Sequence, residues 1–175
     1  MRKALFLLGI LDDTDLDWMI ASGVRKDLPA GTMLIREGVP VDSVYLVLDG
    51  MLAVRTLKTG DTVIARLQAG EVVGEMSFVD SRPPSASVSA TEPSAVLAIP
   101  RPALATKLQE DVYFASRFYR ALAVFLSERL RATVGLLDYG RADPPGDADI
   151  SPEVLDNVAI AGARFDWLQR RLKSL

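Results

Sequence analysis

Hydrophobic and polar positions divide the chain into a strand-like segment with helix-like segments on either side. From Val24 to Pro100, apolar residues recur at every second position in short runs, which is typical of β-strands. In the run SVYLVLDGMLAV, alternate residues face opposite sides, and the Asp-Gly pair predicts a hairpin. Turn glycines lie about ten residues apart, at Gly31, Gly38, Gly50, Gly60 and Gly70. This spacing predicts a sandwich, roll or barrel.

A short helix is predicted before the strands, in the segment TDLDWMIAS. Thr14 is placed to cap its first turn, with Asp17 as the acidic partner in a capping box. Gly23 is a stop signal for this helix. Its apolar face consists of Leu16, Met19 and Ile20.

After Pro100 the apolar period becomes helical. PALATKLQ predicts a short helix, and a long helix follows over residues 112–137. The long helix carries two adjacent apolar stripes, whereas a helix on a single core needs one. The first stripe consists of Phe114, Phe118, Ala121 and Phe125. The second consists of Ala115, Tyr119, Leu122, Leu126, Leu130, Thr133 and Leu137. Either this helix lies in a deep groove of its own domain, or the second stripe meets another subunit in a homodimer.

The C-terminal part of the chain predicts a linker and one more helix. The segment DYGRADPPGDADIS is rich in Gly, Pro and Asp, which predicts a linker over residues 138–150 after a domain at 1–137. An amphipathic helix is predicted at 151–175, with Ser151 as its cap and Pro152 in its first turn. Its apolar positions follow a heptad spacing. The helix either docks on its own domain or binds a partner helix.

Composition narrows the chemistry that the chain can perform. The 175 residues include no cysteine and no histidine, which excludes disulfides, thiolate nucleophiles, imidazole bases and His-ligated zinc. The other polar residues show no catalytic arrangement, so we expect a binding protein rather than an enzyme. The net charge of −3 provides no field that would attract nucleic acid. The apolar run near the N-terminus is short and lacks a cleavage pattern, and no run is long enough to span a bilayer. These features predict a cytoplasmic protein without a membrane partner.

Four segments carry a resemblance to a known family: PAGTMLIREGVPVDSVYLVLDGML, AGEVVGEMSFVD, RPPSASVSA and VLAIPRPAL. With these segments, the chain from about Leu11 to Leu137 resembles the cyclic-nucleotide-binding domain family, which includes the sensor domains of Crp/Fnr regulators. The resemblance implies a mainly β fold, an antiparallel, jelly-roll-like β-roll over about residues 24–100 with flanking helices. It also implies a pocket for cyclic AMP, cyclic GMP or a related anion, and no other cofactor or metal.

The resemblance also implies which residues contact the ligand. In the family, a short segment called the phosphate-binding cassette contacts the ligand. A glutamate after a glycine in this cassette accepts a hydrogen bond from the ribose 2′-hydroxyl, and an arginine after the cassette proline pairs with the phosphate. The residues that match the ligand-binding pattern are Gly74, Glu75, Met76, Ser77, Ser85 and Ala86. Pro84 stands where the arginine belongs, and it has neither a charge nor a backbone N–H. Arg82 is then either the replacement cation or a solvated turn residue.

The sequence and its resemblance to this family suggest three possible functions. The first is a stand-alone regulatory module that binds a cyclic nucleotide weakly and signals through its C-terminal helices to an unknown protein effector. The second is a protein-interaction scaffold with a degenerate pocket, which Pro84 favours. The third is a DNA-binding regulator, which is disfavoured because the residues after Leu137 are too few for a winged helix-turn-helix.

Overall fold

A computed structural model describes residues 6–57, 62–138 and 152–173. The described helices are α1 (Phe6–Ile10), α2 (Asp13–Ser22), α3 (Glu75–Asp80), α4 (Arg101–Glu110), α5 (Val112–Asp138) and α6 (Pro152–Lys173). The described strands are β1 (Val24–Leu28), β2 (Met33–Ile35), β3 (Ser43–Asp49), β4 (Met51–Thr56), β5 (Thr62–Gln68), β6 (Val72–Val73), β7 (Ser87–Ala90) and β8 (Ser94–Pro100). Across these described ranges, no helix is both long and apolar enough to cross a membrane.

The strands form two four-stranded sheets, both antiparallel. Strands follow the order β1-β8-β3-β6 in one sheet and β2-β7-β4-β5 in the other. The first strand starts at Val24 and the last ends at Pro100. This confirms the predicted fold class, a mainly β roll with helices before and after it.

The predicted hairpin at Asp49-Gly50 is wrong. The strands on either side of this turn belong to different sheets, because β3 pairs with β6 and β8 whereas β4 pairs with β5 and β7. Gly50 has a φ of 80°, and a Cβ there would lie 2.3 Å from Ser94 Oγ, so the turn does require glycine. The sequence identified the turn correctly, but strand pairing depends on distant residues that bury both faces of β3.

The hydrophobic core has two layers, which share strands β3 and β8. Val44, Leu46 and Leu48 of β3 pack against the helices, in one cluster. Tyr45 and Val47 face the opposite way, into the interior between the sheets. The alternation read from the sequence is therefore present, but both faces of the strand are buried.

The first turn of α2 differs from its predicted cap. The N-cap residue is Asp12, not Thr14, and the helix starts at Asp13. Asp12 and Asp15 form the reciprocal capping box, with the Asp15 N–H donating to Asp12 Oδ1 at 2.9 Å and the Asp12 N–H donating to Asp15 Oδ2 at 2.9 Å. Thr14 instead donates its hydroxyl to Asp12. A stronger acidic cap two residues upstream therefore replaces the predicted threonine.

The C-terminal helix α6 docks on its own chain. Its buried residues are Ala161, Phe165, Leu168 and Leu172, which join the cluster formed by the helices and β3. Arg164 donates to the carbonyl oxygens of Leu8 and Leu11 at the end of α1, at 3.2 and 2.6 Å, and pairs with Asp13. Residues 139–150, most of the predicted linker, lie outside the described residues, and the division into domain, linker and tail stays a prediction.

Candidate functional site

The candidate site starts at Gly74, immediately before α3. Gly74 adopts a φ of 87°, and a Cβ there would lie 2.9 Å from the Ser43 carbonyl oxygen, closer than real Cβ atoms approach. The left-handed glycine turns the chain out of β6 and starts α3 at Glu75. The side chain of Glu75 is consequently directed inward and keeps only 2% of its exposure.

Glu75 lies at a cavity of about 370 Å³ inside the roll. The cavity collects six of the seven residues that the resemblance implies as ligand contacts: Gly74, Glu75, Met76, Ser77, Ser85 and Ala86. Its walls are otherwise mainly apolar and include Ile35, Val54, Ile64, Val73, Pro83, Pro84 and Val88. The ligand-binding role of these residues stays a prediction, but they share one cavity, open to solvent on one side, of a size suited to a small organic molecule.

Arg82, the seventh implied residue, lies away from this cavity. Its side chain is 83% exposed, and its Nε lies 3.9 Å from the Asp80 carboxylate. Arg82 is not part of the cavity lining, whereas Asp80 is. In this arrangement Arg82 matches the solvated turn residue of the two alternatives that the sequence left open.

The cation at the site comes from Arg129 on α5. Its Nη1 lies 2.6 Å from Glu75 Oε1, and both side chains line the cavity. Among the described residues of the lining, Arg129 is the one basic residue, and Glu75 and Asp80 are the acidic ones. Sequence reasoning missed Arg129 because it lies 54 residues after Glu75 and belongs to no local motif. The signal that was available is its helical position, one turn after Phe125 on the apolar side of α5.

Burial controls the electrostatics of this pair. Burial raises the pKa of the Glu75 carboxyl above its ordinary value, and the Arg129 guanidinium lowers it again in part. Burial also raises the pKa of the neighbouring Glu71 carboxyl, which accepts a hydrogen bond from the Gln68 N–H at 2.6 Å. Two carboxyl groups with raised pKa values therefore lie near the Arg129 guanidinium, and of the two only Glu75 lines the cavity.

Two further contacts join α3 to the C-terminal helices. Arg101, the first residue of α4, donates to the Ser77 carbonyl oxygen at 2.8 Å and to the Val41 carbonyl oxygen at 2.9 Å. Phe78 of α3 packs edge-on against Phe118 of α5, with ring centroids 6.3 Å apart. Together with the Glu75–Arg129 pair, these contacts connect the cavity to both α4 and α5.

The fold is a β-roll with an internal cavity and flanking helices, and residues 25–111 match the model of the cyclic nucleotide-binding domain. The chain belongs to the cyclic nucleotide-binding domain family. The resemblance stated from the sequence is thereby confirmed.

Several known proteins resemble the chain over most of its length. The N-terminal domain of a transcriptional regulator from Streptomyces coelicolor A3(2) is 31% identical, with coverage of 73% of this chain and 90% of that one and a TM-score of 0.61. A cyclic nucleotide-binding domain from Methylobacillus flagellatus shares the fold at a TM-score of 0.71 and 22% identity, covering 82% and 85% of the two chains. Glutaminase 2 of Bradyrhizobium diazoefficiens is 30% identical over 75% of this chain. The chain spans only 21% of that curated relative.

Proposed function

We propose that the chain is a regulatory module that binds cyclic AMP or cyclic GMP in the cavity at Glu75 and signals through α4 and α5. One observation carries the proposal: Glu75, which follows a left-handed glycine, is buried at a cavity that α5 closes with Arg129. A carboxyl in this position can accept a hydrogen bond from a ribose hydroxyl, and the apolar walls suit a base.

Signalling follows from the contacts that the cavity shares with the helices. A ligand that displaces the Arg129 guanidinium or shifts α3 acts on the Phe78–Phe118 contact and on the Arg101 hydrogen bonds at the same time. Because these contacts hold α4 and α5 in place, ligand binding would change the position of both helices relative to the roll. A protein effector would read that change.

The first test is calorimetric titration of the full chain with cyclic AMP and cyclic GMP. We expect saturable binding that is weak for the family, since Pro84 offers the phosphate neither charge nor N–H. Ala86→Phe places a ring in the cavity and should abolish binding, because Ala86 is part of the lining. Thr106→Phe adds the same ring at an exposed site on α4 and should bind like wild type. Equal binding by both variants would place the ligand elsewhere.

The alternative is a scaffold whose pocket no longer binds nucleotide. Pro84 favours it, as does the fact that Glu75 already has a partner in Arg129. The same titration decides between the two functions, because a scaffold gives no heat with either nucleotide at any concentration tested.

A homodimer through α5 is the second part of the proposal. The first stripe of α5 is buried in the chain's own core, and Leu126 is partly buried against it, which removes Leu126 from the predicted partner surface. Leu122 of the second stripe is buried as well, and the side chains of Thr133 and Leu137 lie outside the described ones. Among the described side chains, the exposed apolar residues on this side of α5 are Tyr119, Leu130 and Val134, with Leu130 64% exposed. An exposed apolar face on one helix supports an isologous pairing of two copies.

Leu130→Glu combined with Val134→Glu is expected to give folded monomers, because like charges would face each other across a two-fold axis. Sedimentation velocity of wild type and variant measures the change. Leu57→Glu, which adds a charge at another exposed leucine, on the roll, is the matched control and should stay dimeric. A monomeric wild type would refute the dimer.

A further inference from the structure

We infer that the phosphate of a bound cyclic nucleotide takes the Arg129 guanidinium from Glu75, and that the Glu75 carboxylate takes up a proton from solvent in the same step. The inference rests on the proposed function, because it names the ligand of that cavity. It assigns Arg129, from α5, as the phosphate partner in place of the arginine that Pro84 replaces. The balance is simple: one proton leaves the buffer, Glu75 becomes neutral, and the arginine keeps its charge.

The charges at the cavity require such an exchange. Among the described lining residues the guanidinium of Arg129 is the one cationic group, and Glu75 already neutralises it. A cyclic phosphate is a monoanion, and Pro84 offers it no N–H. Its entry would leave two anions beside one guanidinium, in a largely apolar cavity where like charges repel strongly.

Glu75 is the group that can give way. Its side chain is almost fully buried, so an ionised carboxylate that loses its guanidinium would keep the backbone hydrogen bonds of Glu75 and Met76 but lose the cation that balances its charge away from water. Protonation removes that penalty. Burial already raises the pKa of the Glu75 carboxyl in the free protein, so the free energy needed to protonate it is reduced. A protonated Glu75 still has a carbonyl oxygen that accepts a hydrogen bond from the ribose.

Other titratable groups near Glu75 are engaged elsewhere. The charge of Arg129 lowers the pKa of the Glu71 carboxyl, but Glu71 accepts a hydrogen bond from the Gln68 N–H and is not part of the cavity lining. Asp80 is exposed at the rim and interacts with Arg82. The Tyr45 hydroxyl, on the strand beside Gly74, donates to Asp42 at 3.3 Å. Glu75 alone among these carboxylates combines burial, a place in the lining and direct contact with the cation.

Linkage fixes the sign of the effect. A ligand that raises the pKa of a carboxyl binds more tightly as the pH falls, and the slope of log affinity against pH equals minus the number of protons taken up. Affinity should therefore rise by up to about tenfold per pH unit on acidification, between the Glu75 pKa in the complex and that in the free protein. A Glu75 that has to be ionised to hold the ribose would give the opposite sign.

The experiment is calorimetry of the full chain with cyclic AMP and cyclic GMP at about pH 6, 7 and 8, in buffers of low and high ionisation enthalpy. Wild type should take up a proton on binding at the pH values that lie between the two Glu75 pKa values, and should bind more tightly at the lowest pH. Glu75→Gln keeps an acceptor oxygen but cannot take up a proton. It should show an affinity independent of pH, with no uptake. Glu71→Gln is the matched control, at the neighbouring carboxyl, and should keep most of the proton uptake. Arg129→Met should lose binding and uptake together.

The possible failures can be told apart. If neither nucleotide binds at any pH, the proposed function fails and this inference fails with it. If wild type binds with no proton uptake, or more weakly at low pH, the proposed function stands and the exchange is wrong. If Glu71→Gln rather than Glu75→Gln removes the uptake, the proton belongs to Glu71 and the assignment is overturned.

Discussion

Pro84→Arg is expected to tighten the binding of cyclic AMP or cyclic GMP by roughly ten- to a hundredfold. A charge-assisted hydrogen bond contributes about 1.5–3 kcal/mol, and each 1.4 kcal/mol is about tenfold in affinity. Pro84 lines the cavity between Pro83 and Ser85, so a guanidinium attached there can reach a phosphate in it. The Gly38 N–H donates to the Pro84 carbonyl oxygen at 2.9 Å, and an arginine keeps that backbone acceptor.

The same variant tests whether Arg129 leaves Glu75 to pair with the phosphate. With its own arginine, the phosphate no longer needs the guanidinium that Glu75 holds. Pro84→Arg should therefore bind tightly at every pH and take up little or no proton, unlike wild type. Pro93→Arg is the control, since it adds the same charge at an exposed turn. A wild type that binds as tightly as Pro84→Arg would show that the phosphate already has a sufficient cation.

The roll and its cassette could be predicted because their signals are local. A left-handed turn favours glycine, so the adjacent residues Gly74 and Glu75 are enough to predict where the turn and the following helix lie. The alternation along β3 likewise marked which side chains face the helices and which face the sheet interior. Each of these features depends on neighbours within a few residues, so one sequence is enough to identify it.

The rest of the site could not be predicted because its contacts join distant parts of the chain. Arg129 interrupts the apolar side of α5 one turn after Phe125, but nothing in the sequence relates it to Glu75 until the fold brings the two together. Arg101 looks like the first residue of a helix, although it also holds the carbonyl of Ser77. No spacing rule relates these pairs. The strand partners across Gly50 were missed for the same reason, since both faces of β3 are buried by residues far along the chain.

Long-range arginine pairs also determine how α5 is held along its length. Arg117 contacts the start of α2 and Arg129 contacts α3, so two ion pairs tie α5 to other elements in addition to its buried stripe, which ends at Phe125. Only the second point lies at the cavity. A ligand that captures Arg129 would therefore release the C-terminal half of α5, which carries Leu130 and Val134, while the N-terminal half stays anchored.

Arg117→Met is expected to lower the free energy of unfolding by about 2–4 kcal/mol, somewhat less than the roughly 3–5 kcal/mol for a fully buried ion pair that loses one partner. Arg117 contacts Asp15 with two nitrogens, Nε to Oδ2 at 2.6 Å and Nη2 to Oδ1 at 2.8 Å. Asp15 is 1% exposed, so methionine would leave a buried carboxylate whose remaining donor, within the described part of the chain, is the Asp12 N–H. The guanidinium keeps 29% exposure, which reduces the loss.

Urea denaturation of wild type and variants measures this cost, and a second substitution identifies its cause. Asp15→Asn removes the charge and keeps a side-chain oxygen for the cap, so adding it to Arg117→Met should recover part of the lost stability. Arg25→Met is the matched control, because Arg25 pairs with an exposed Asp27 and its loss should cost about 1 kcal/mol or less. If Arg117→Met costs no more than Arg25→Met, the pair between α5 and α2 does not anchor the helix, and release of α5 would not be confined to its C-terminal half.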